Sequence, residues 1–223
     1  MKDKKLQMII NMVVVINIIL ILALGYYLML KSKYTVKYIK KLSEKSMQCY
    51  NYIIEIQSED IQTKEKYHIK IFQKEKSRRE DIISENITRW EVNDVQIFED
   101  RTENERVYSE WKTEQKILYG DNNWWRYVNN EKFKYIGKEK YNNIKCVVLY
   151  YEDAEMQGTA GVWTRLSYKI WIDEERGHIL KQETYKDGEL SEITTYTIQT
   201  NCVTDKEIAL PDLKDFTKIK GNN

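Results

Sequence analysis

The sequence predicts an α+β chain in which one transmembrane helix precedes a domain of mainly antiparallel β-structure. Three observations carry this prediction. Residues 8–30 form an apolar run without a charged side chain. From residue 51 onward, apolar and polar side chains alternate with a period of two, which is typical of half-buried strands. Tyrosine (17) and tryptophan (6) are frequent whereas proline (1) and glycine (8) are scarce, a composition that favours ordered β-structure.

The apolar run is predicted to be a retained signal-anchor. A helix over residues 8–30 spans roughly 35 Å, which is enough to cross a hydrocarbon core of about 30 Å. Ala23 and Gly25 offer a small-residue cleavage site, but the hydrophobic residues continue after it. The run is also longer than the apolar core of about 7–15 residues in a cleaved signal. We therefore expect a short cytoplasmic tail at residues 1–7 and a transmembrane helix at residues 8–30.

Local charge leaves the orientation of this span open. Several lysines follow the apolar run closely, and by the positive-inside rule they place the large domain in the cytoplasm. A very short tail before a single span is instead the usual layout of a signal-anchor that exports the domain on its C-terminal side. These two indications conflict.

Composition excludes some partner classes. Lysine plus arginine (36) and aspartate plus glutamate (35) nearly balance, so nucleic acid is not an expected partner. Cys49, Cys146 and Cys202 show no CxxC spacing, so no zinc site is expected. Three buried thiols, or one disulfide with one free thiol, both fit this count.

Residues 31–50 are predicted to form an amphipathic helix. Val36, Ile39, Leu42, Ser46 and Cys49 recur at three-to-four residue spacing with lysines between them. We expect this helix to pack on the domain of residues 51–223. An alternative is that its basic face lies on anionic lipid.

Strands and hairpins are predicted over most of the remaining chain. Alternating runs begin near residues 52 and 67 and recur as far as residue 128, with asparagine-rich turns between several of them. In residues 166–202, Asp187-Gly188 is a strong hairpin signal, so three strands are expected to form an antiparallel meander. Thr204 and Glu207 have the spacing of a helix capping box ahead of Pro211.

Catalytic and cofactor motifs are missing from the sequence. His68 and His178 stand alone, and there is no nucleotide-binding or nucleophile-elbow motif. We expect no catalytic residue, no metal and no cofactor, although a pair of acids that meet only in space stays open. The six tryptophans either line a hydrophobic concavity or form an ordinary core.

A family resemblance lies in the last third of the chain. Residues 135–153 read YIGKEKYNNIKCVVLYYED, residues 168–190 read YKIWIDEERGHILKQETYKDGEL, and TDKEIALPDL comes near the end. This pattern resembles the LolA/LolB/RseB-like lipoprotein-localisation superfamily, in particular the LolA-like proteins of Gram-positive bacteria. This chain departs from the family pattern in two features. Residues 153–161 lengthen the connection before the meander, and Ile179 stands where the family pattern has proline.

The resemblance implies an incomplete, half-open β-barrel with covering helices, whose apolar concave face takes lipid or acyl chains. The resemblance implies no catalytic group in this chain. Because LolA-like domains work outside the cytoplasmic membrane, it also implies a single-pass protein of the cell membrane with an extracytoplasmic C-terminal domain.

We therefore predict a membrane-tethered extracytoplasmic binding protein that holds a lipid, an acylated peptide or another apolar envelope component. The alternative is an envelope sensor or scaffold that binds a partner protein through its surface, with the interior serving only as core. The predicted ligand-binding residues of the concave face are Tyr52, Ile54, Ile56, Tyr67, Ile69, Ile71, Leu166, Tyr168, Ile170 and Ile172.

Overall fold

The chain forms two compact units, Met1–Lys41 and Leu42–Asn223. A computed structural model describes residues 2–46, 50–92, 95–110, 133–152, 156–157 and 163–219. Two of the predicted strand runs, at residues 116–119 and 124–128, lie outside the described residues, as does Cys49.

The N-terminal helix α1 runs without interruption over Lys2–Ser46. Its stretch Asn11–Met29 is long and apolar enough to cross a membrane, and none of that stretch is buried. The apolar run and the amphipathic pattern thus belong to one continuous helix. The predicted limits of tail, span, amphipathic segment and domain stay predictions.

The second unit is built almost entirely of strands. Their bounds are β1 Asn51–Asp60, β2 Lys66–Lys74, β3 Ser77–Ile82, β4 Ile87–Val92, β5 Val95–Asp100, β6 Glu105–Glu110, β7 Phe133–Tyr141, β8 Ile144–Glu152, β9 Met156–Gln157, β10 Trp163–Thr164, β11 Leu166–Asp173, β12 Ile179–Lys186, β13 Glu189–Thr200 and β14 Thr217–Lys218. A short helix α2, Asp205–Ile208, and a 3₁₀ turn, Leu213–Asp215, lie between β13 and β14.

Twelve strands form one sheet in the order β14-β6-β5-β4-β3-β2-β1-β13-β12-β11-β8-β7, and β9 pairs with β10 separately. All neighbours are antiparallel except β14 and β6. Two meanders therefore meet where β1 pairs with β13, and among the described strands the sheet is open at both edges. This confirms the predicted fold class, a mainly antiparallel, half-open sheet preceded by one apolar helix.

The hairpin turn predicted at Asp187-Gly188 is confirmed, and a second turn of the same kind joins β7 and β8. Between β7 and β8, Asn142 and Asn143 both have positive φ angles, 48° and 65°. Between β12 and β13, Asp187 (φ 51°) and Gly188 (φ 88°) also both have positive φ angles. Two consecutive left-handed residues give a turn whose twist matches that of the flanking strands, which is why Asn and Asp-Gly occupy these positions.

The strand registers give the sheet two faces. We call them the isoleucine face, which carries Ile54, Ile71 and Ile170, and the tryptophan face, which carries Trp90 and Trp171. Both tryptophans are buried at 5% exposure. They therefore belong to the core opposite the predicted ligand-binding residues.

The C-terminal segment packs on the tryptophan face. Ile208 of α2 forms a buried cluster with Val203 and Phe72. The predicted capping interaction is present, because the Glu207 carboxylate accepts hydrogen bonds from the Thr204 backbone N–H (2.5 Å) and hydroxyl (2.8 Å). These contacts hold the segment after β13 against the sheet.

The two cysteines that the structure describes are free thiols. Cys146 is buried within a cluster on the tryptophan face, and Cys202 is partly buried. Burial raises the pKa of the Cys146 thiol, which keeps it protonated and unreactive at neutral pH.

Candidate functional site

The ten predicted ligand-binding residues lie on one face of the sheet, the isoleucine face. In the register of β1 with β2, Ile54 lies opposite Ile71, and Ile56 opposite Ile69. Toward the β7 edge of the sheet, Ile170 of β11 lies opposite Gln182 of β12. Gln182 in turn lies opposite Thr194 of β13. Because side chains directly opposite one another point to the same face, this ladder joins both groups of residues.

The apolar surface of this face is nevertheless divided into two patches. The strand-1 patch is a cluster made of Tyr52, Ile54, Ile56, Ile69, Ile71, Tyr196 and Ile198. The strand-11 patch is defined by the register of β8 with β11 and consists of Val147, Leu149, Tyr151, Tyr168, Ile170 and Ile172. Within it, the rings of Tyr151 and Tyr168 stack with their centroids 4.8 Å apart.

Polar side chains separate the two patches over part of β12 and β13, whereas Ile179 of β12 lies opposite Ile172 on the same face. Gln182, Thr184 and Thr194 occupy the same face on β12 and β13. The Gln182 amide donates a hydrogen bond to the Thr184 hydroxyl at 3.4 Å. An apolar ligand that bridges the two patches must therefore cross a polar strip, whereas a ligand with a polar group at its middle is matched by it.

Burial on this face changes along the strands. At the end where β1 begins, the predicted residues are nearly inaccessible, with 0–5% exposure for Tyr52, Ile54, Ile71, Ile170 and Ile172. At the opposite end Ile56, Ile69, Leu166 and Tyr168 are half-buried, and Tyr67 is 48% exposed. We call this second group the open end. Among the predicted ligand-binding residues, all of which the structure describes, only this group has area available for a ligand.

Beyond β2 the same face becomes charged at the end where β1 begins, whereas Ile82 of β3, which is 5% exposed, lies opposite Ile69. Arg78 and Glu80 of β3 form an ion pair at 3.2 Å with side chains only 15% and 19% exposed. Their cross-strand neighbours on β4 are Glu91 and Arg89. Paired charges thus bound the apolar surface beside Ile71, whereas beside Ile69 the surface continues onto β3 through Ile82.

Sequence reasoning missed five residues of the two patches. The segment TYTIQ places Tyr196 and Ile198 on the isoleucine face, and its alternation was a usable signal. Val147, Leu149 and Tyr151 were harder to assign, because CVVLYY is apolar on both faces and shows no alternation. A strand buried on both sides reveals its orientation only through its register.

The described residues show no cluster of three or more His, Cys, Asp or Glu side chains suited to a metal. His68 pairs with Glu55 at 2.7 Å on the tryptophan face. His178 is far along the chain from this pair and is buried at 7% exposure. Burial lowers the pKa of His178, and the nearby Asp173 carboxylate opposes this shift. The expectation that the chain has no catalytic group stays a prediction.

No protein-family model and no curated protein sequence matches the chain. Solved structures do resemble it. An uncharacterized conserved protein from Thermus thermophilus is 11% identical with a TM-score of 0.55, over 84% of this chain and 99% of that chain. LprF from Mycobacterium bovis is 10% identical with a TM-score of 0.51, over 80% and 97% respectively. Similarity at this level of identity shows a shared fold.

MucB in the Pseudomonas aeruginosa MucA/MucB complex structure is a further neighbour of this kind. The match has 13% identity and a TM-score of 0.51, and it covers 79% of this chain. It spans 60% of the matched chain, so the neighbour has a substantial part that this chain does not match.

Proposed function

We propose that this chain, whose fold is that of the LolA/LolB/RseB-like superfamily, is a membrane-tethered extracytoplasmic binding protein. Its ligand is a lipid, an acylated peptide or another apolar component of the envelope, held against the isoleucine face. The observation that carries the proposal is the open end, where two apolar patches on one face keep accessible surface.

The ten predicted residues take two roles in this proposal. The buried five, which include Ile54 and Ile170, form the base of the face and stabilise the domain. The open-end residues, which include Ile69 and Tyr168, contact the ligand. Each methylene group of an acyl chain buried there contributes about 0.8 kcal/mol, so a chain lying along the open end gains several kcal/mol from apolar contact alone.

The location outside the membrane rests on the family resemblance together with the apolar helix. Asn11–Met29 supplies a segment long enough to span a membrane. If this span is retained, the domain stays at the membrane surface, and a bound lipid is held there instead of being carried away. This favours local binding or sensing over shuttling.

A second candidate function is the binding of a partner protein through the domain surface. The neighbour that favours it is MucB, whose structure was determined as a complex with MucA. In this alternative the isoleucine face serves only as core, and replacing its open-end residues leaves capture of the partner unchanged.

Native mass spectrometry tests the leading proposal. The full chain, purified in a nonionic detergent and delipidated, is exposed to a membrane lipid extract and then analysed for bound species. We expect one bound lipid or acylated species per chain. The Ile69→Ser variant should reduce its occupancy at least about tenfold, because a polar group enters the apolar contact.

Lys70→Ser is the matched control. Lys70 is the next residue on the same strand and is also half-buried, but its side chain points to the tryptophan face. We expect this variant to bind as the unchanged chain does. A chain that stays empty, or that loses its ligand equally in both variants, would contradict the proposal.

A further inference from the structure

A polar cavity of about 580 Å³ lies at the end of the sheet where β1 begins and where β2 and β13 end. It is lined by the end of α1, by residues around these strand ends and by the turn between β11 and β12. None of the ten predicted ligand-binding residues is among the described residues that line it. Its volume is in the range of sites that take small molecules.

The cavity walls are held by backbone hydrogen bonds. The Glu75 N–H donates to the Tyr50 carbonyl at 2.7 Å, and the Asn201 N–H donates to the Asn51 carbonyl at 2.7 Å. On the opposite wall, the Asp173 carboxylate accepts hydrogen bonds from the backbone N–H groups that open the β11–β12 turn, at 2.7 and 3.1 Å. The site is therefore formed before any ligand arrives, which lowers the entropic cost of binding.

His178 is the cavity-lining side chain that most strongly indicates a ligand. It is 7% exposed, and its Nδ1 atom is fully buried without a hydrogen-bond partner in the described part of the chain. Buried polar atoms are nearly always hydrogen-bonded, and leaving one unpaired is unfavourable. The neutral imidazole thus has an unsatisfied hydrogen-bonding nitrogen within a residue that lines the cavity.

The charges around the cavity are balanced. Lys45 and Arg176 contribute positive charge, and Glu75 and Glu175 contribute negative charge. The third cation, Lys74, is already bound by the Asp205 carboxylate at 2.6 Å. Among the described residues, Arg176 and the two glutamates form no ion pair, and the Lys45 ammonium donates only to a backbone carbonyl, that of Glu175, at 3.0 Å.

This balance discriminates between ligand classes. A simple anion in the cavity meets two carboxylates, and a simple cation meets two cationic side chains, so each gains on one side and loses on the other. A ligand that carries both charges gains on both sides. Because Lys45 and Arg176 donate hydrogen bonds and the glutamates accept them, both halves of such a ligand find partners.

We propose that this cavity binds a zwitterionic group in which an ammonium and a phosphate or carboxylate are carried together, as in a phosphoethanolamine headgroup. Glu75 and Glu175 hold the ammonium, Lys45 and Arg176 hold the oxyanion, and His178 adds a hydrogen bond from the buried end. The source of such a group is a membrane lipid or a soluble small molecule. This site is separate from the apolar ligand on the isoleucine face.

Isothermal titration of the full chain in maltoside micelles with glycerophosphoethanolamine tests the proposal. We expect saturable binding of one molecule per chain. Glycerol phosphate and ethanolamine, which each carry one of the two charges, should bind at least about tenfold more weakly. Binding of glycerol phosphate with equal affinity, or no binding of the zwitterion, would overturn the proposal.

Side-chain variants locate the site. His178→Leu should weaken binding about tenfold, whereas His178→Asn, which retains a hydrogen-bonding group near the Nδ1 position, should preserve most of the affinity. Arg176 and Glu75 are exposed, so Arg176→Gln and Glu75→Gln leave the fold intact and should each weaken binding several-fold. Lys76→Gln, one residue outside the lining, is the control and should have no effect. Equal affinity in Arg176→Gln, Glu75→Gln and Lys76→Gln would refute the assignment.

The source of the zwitterion is then distinguished with lipid nanodiscs. The same titration is repeated with the full chain in discs of phosphatidylglycerol, with and without phosphatidylethanolamine. Weaker apparent binding of the soluble headgroup in the discs that contain phosphatidylethanolamine supports the site and assigns it to the membrane lipid. Equal binding in both discs also supports the site and assigns it to a soluble ligand. Since this cavity shares no residue with the open end, Ile69→Ser should leave all these results unchanged.

Discussion

Replacing Gly177 by alanine should release the end of helix α1 from the turn between β11 and β12. Gly177 has a φ of +77°, and a Cβ atom placed on it would clash with the Leu42 carbonyl oxygen and lie 3.3 Å from the Ser46 backbone nitrogen. Both obstacles are backbone atoms, so no side-chain rotation relieves them. The left-handed conformation itself costs an alanine about 1–2 kcal/mol.

The clash adds the cost of moving the helix end. Leu42 is 1% exposed, and removing a fully buried leucine from its packing costs about 1.5–3 kcal/mol. We therefore expect Gly177→Ala to lower the free energy of unfolding by about 2.5–5 kcal/mol in total. Denaturant unfolding of the full chain in maltoside micelles, followed by tryptophan fluorescence, measures this loss.

Gly188→Ala is the matched control. Gly188 has a similar φ of +88°, but a Cβ atom there would meet nothing within 4 Å. This variant should show only the conformational cost of about 1–2 kcal/mol. The difference between the two variants isolates the contact with the helix end. If both variants are equally destabilised, the close approach of Leu42 to the turn is refuted.

Three further predictions concern stability and ionisation. Ile170→Ala should lower the free energy of unfolding by about 2–5 kcal/mol, because Ile170 is 1% exposed, and chemical denaturation measures this; a loss under about 1 kcal/mol would contradict its place in the core. Burial and the hydrogen bond to Glu183 raise the pKa of Tyr185 to about 12, so ultraviolet titration should show a phenol that ionises later than an ordinary tyrosine, and Glu183→Gln should lower the pH at which it ionises. Burial lowers the pKa of His178 below 6.5, so as the pH falls the unfolded chain takes up this proton before the folded chain does. The free energy of unfolding should therefore decrease below about pH 6.5 by at most about 1.4 kcal/mol per pH unit. This decrease should be absent in His178→Asn.

Local features of the fold could be predicted from the sequence because neighbouring residues determine them. Asp187-Gly188 specifies a two-residue hairpin by its backbone preferences alone, and the structure has that turn. Alternation along β1 correctly placed Tyr52, Ile54 and Ile56 on one face. The continuity of α1 was missed, because an apolar run and an amphipathic pattern differ in composition although both continue a helix.

The shape of the candidate site depends on how distant strands align, and this limited its prediction. Alternation within one strand shows which residues share a face, but it does not show which residues of other strands lie beside them. The polar strip of Gln182 and Thr184 between the two patches is determined only by the registers of β11, β12 and β13. The polar cavity likewise joins Lys45, Glu75 and His178, which no sequence motif connects.

Photocrosslinking with a lipid that carries a diazirine in its acyl chain tests most directly whether the isoleucine face binds an apolar ligand. The full chain in nanodiscs is irradiated with this lipid, digested and mapped by mass spectrometry. Labelling of the stretch Asn11–Met29 is expected in any case and serves as the internal reference. The account predicts additional label at open-end residues such as Ile69 and Tyr168, and its loss in Ile69→Ser. Label confined to the span, with none on β2 or β11, would contradict it.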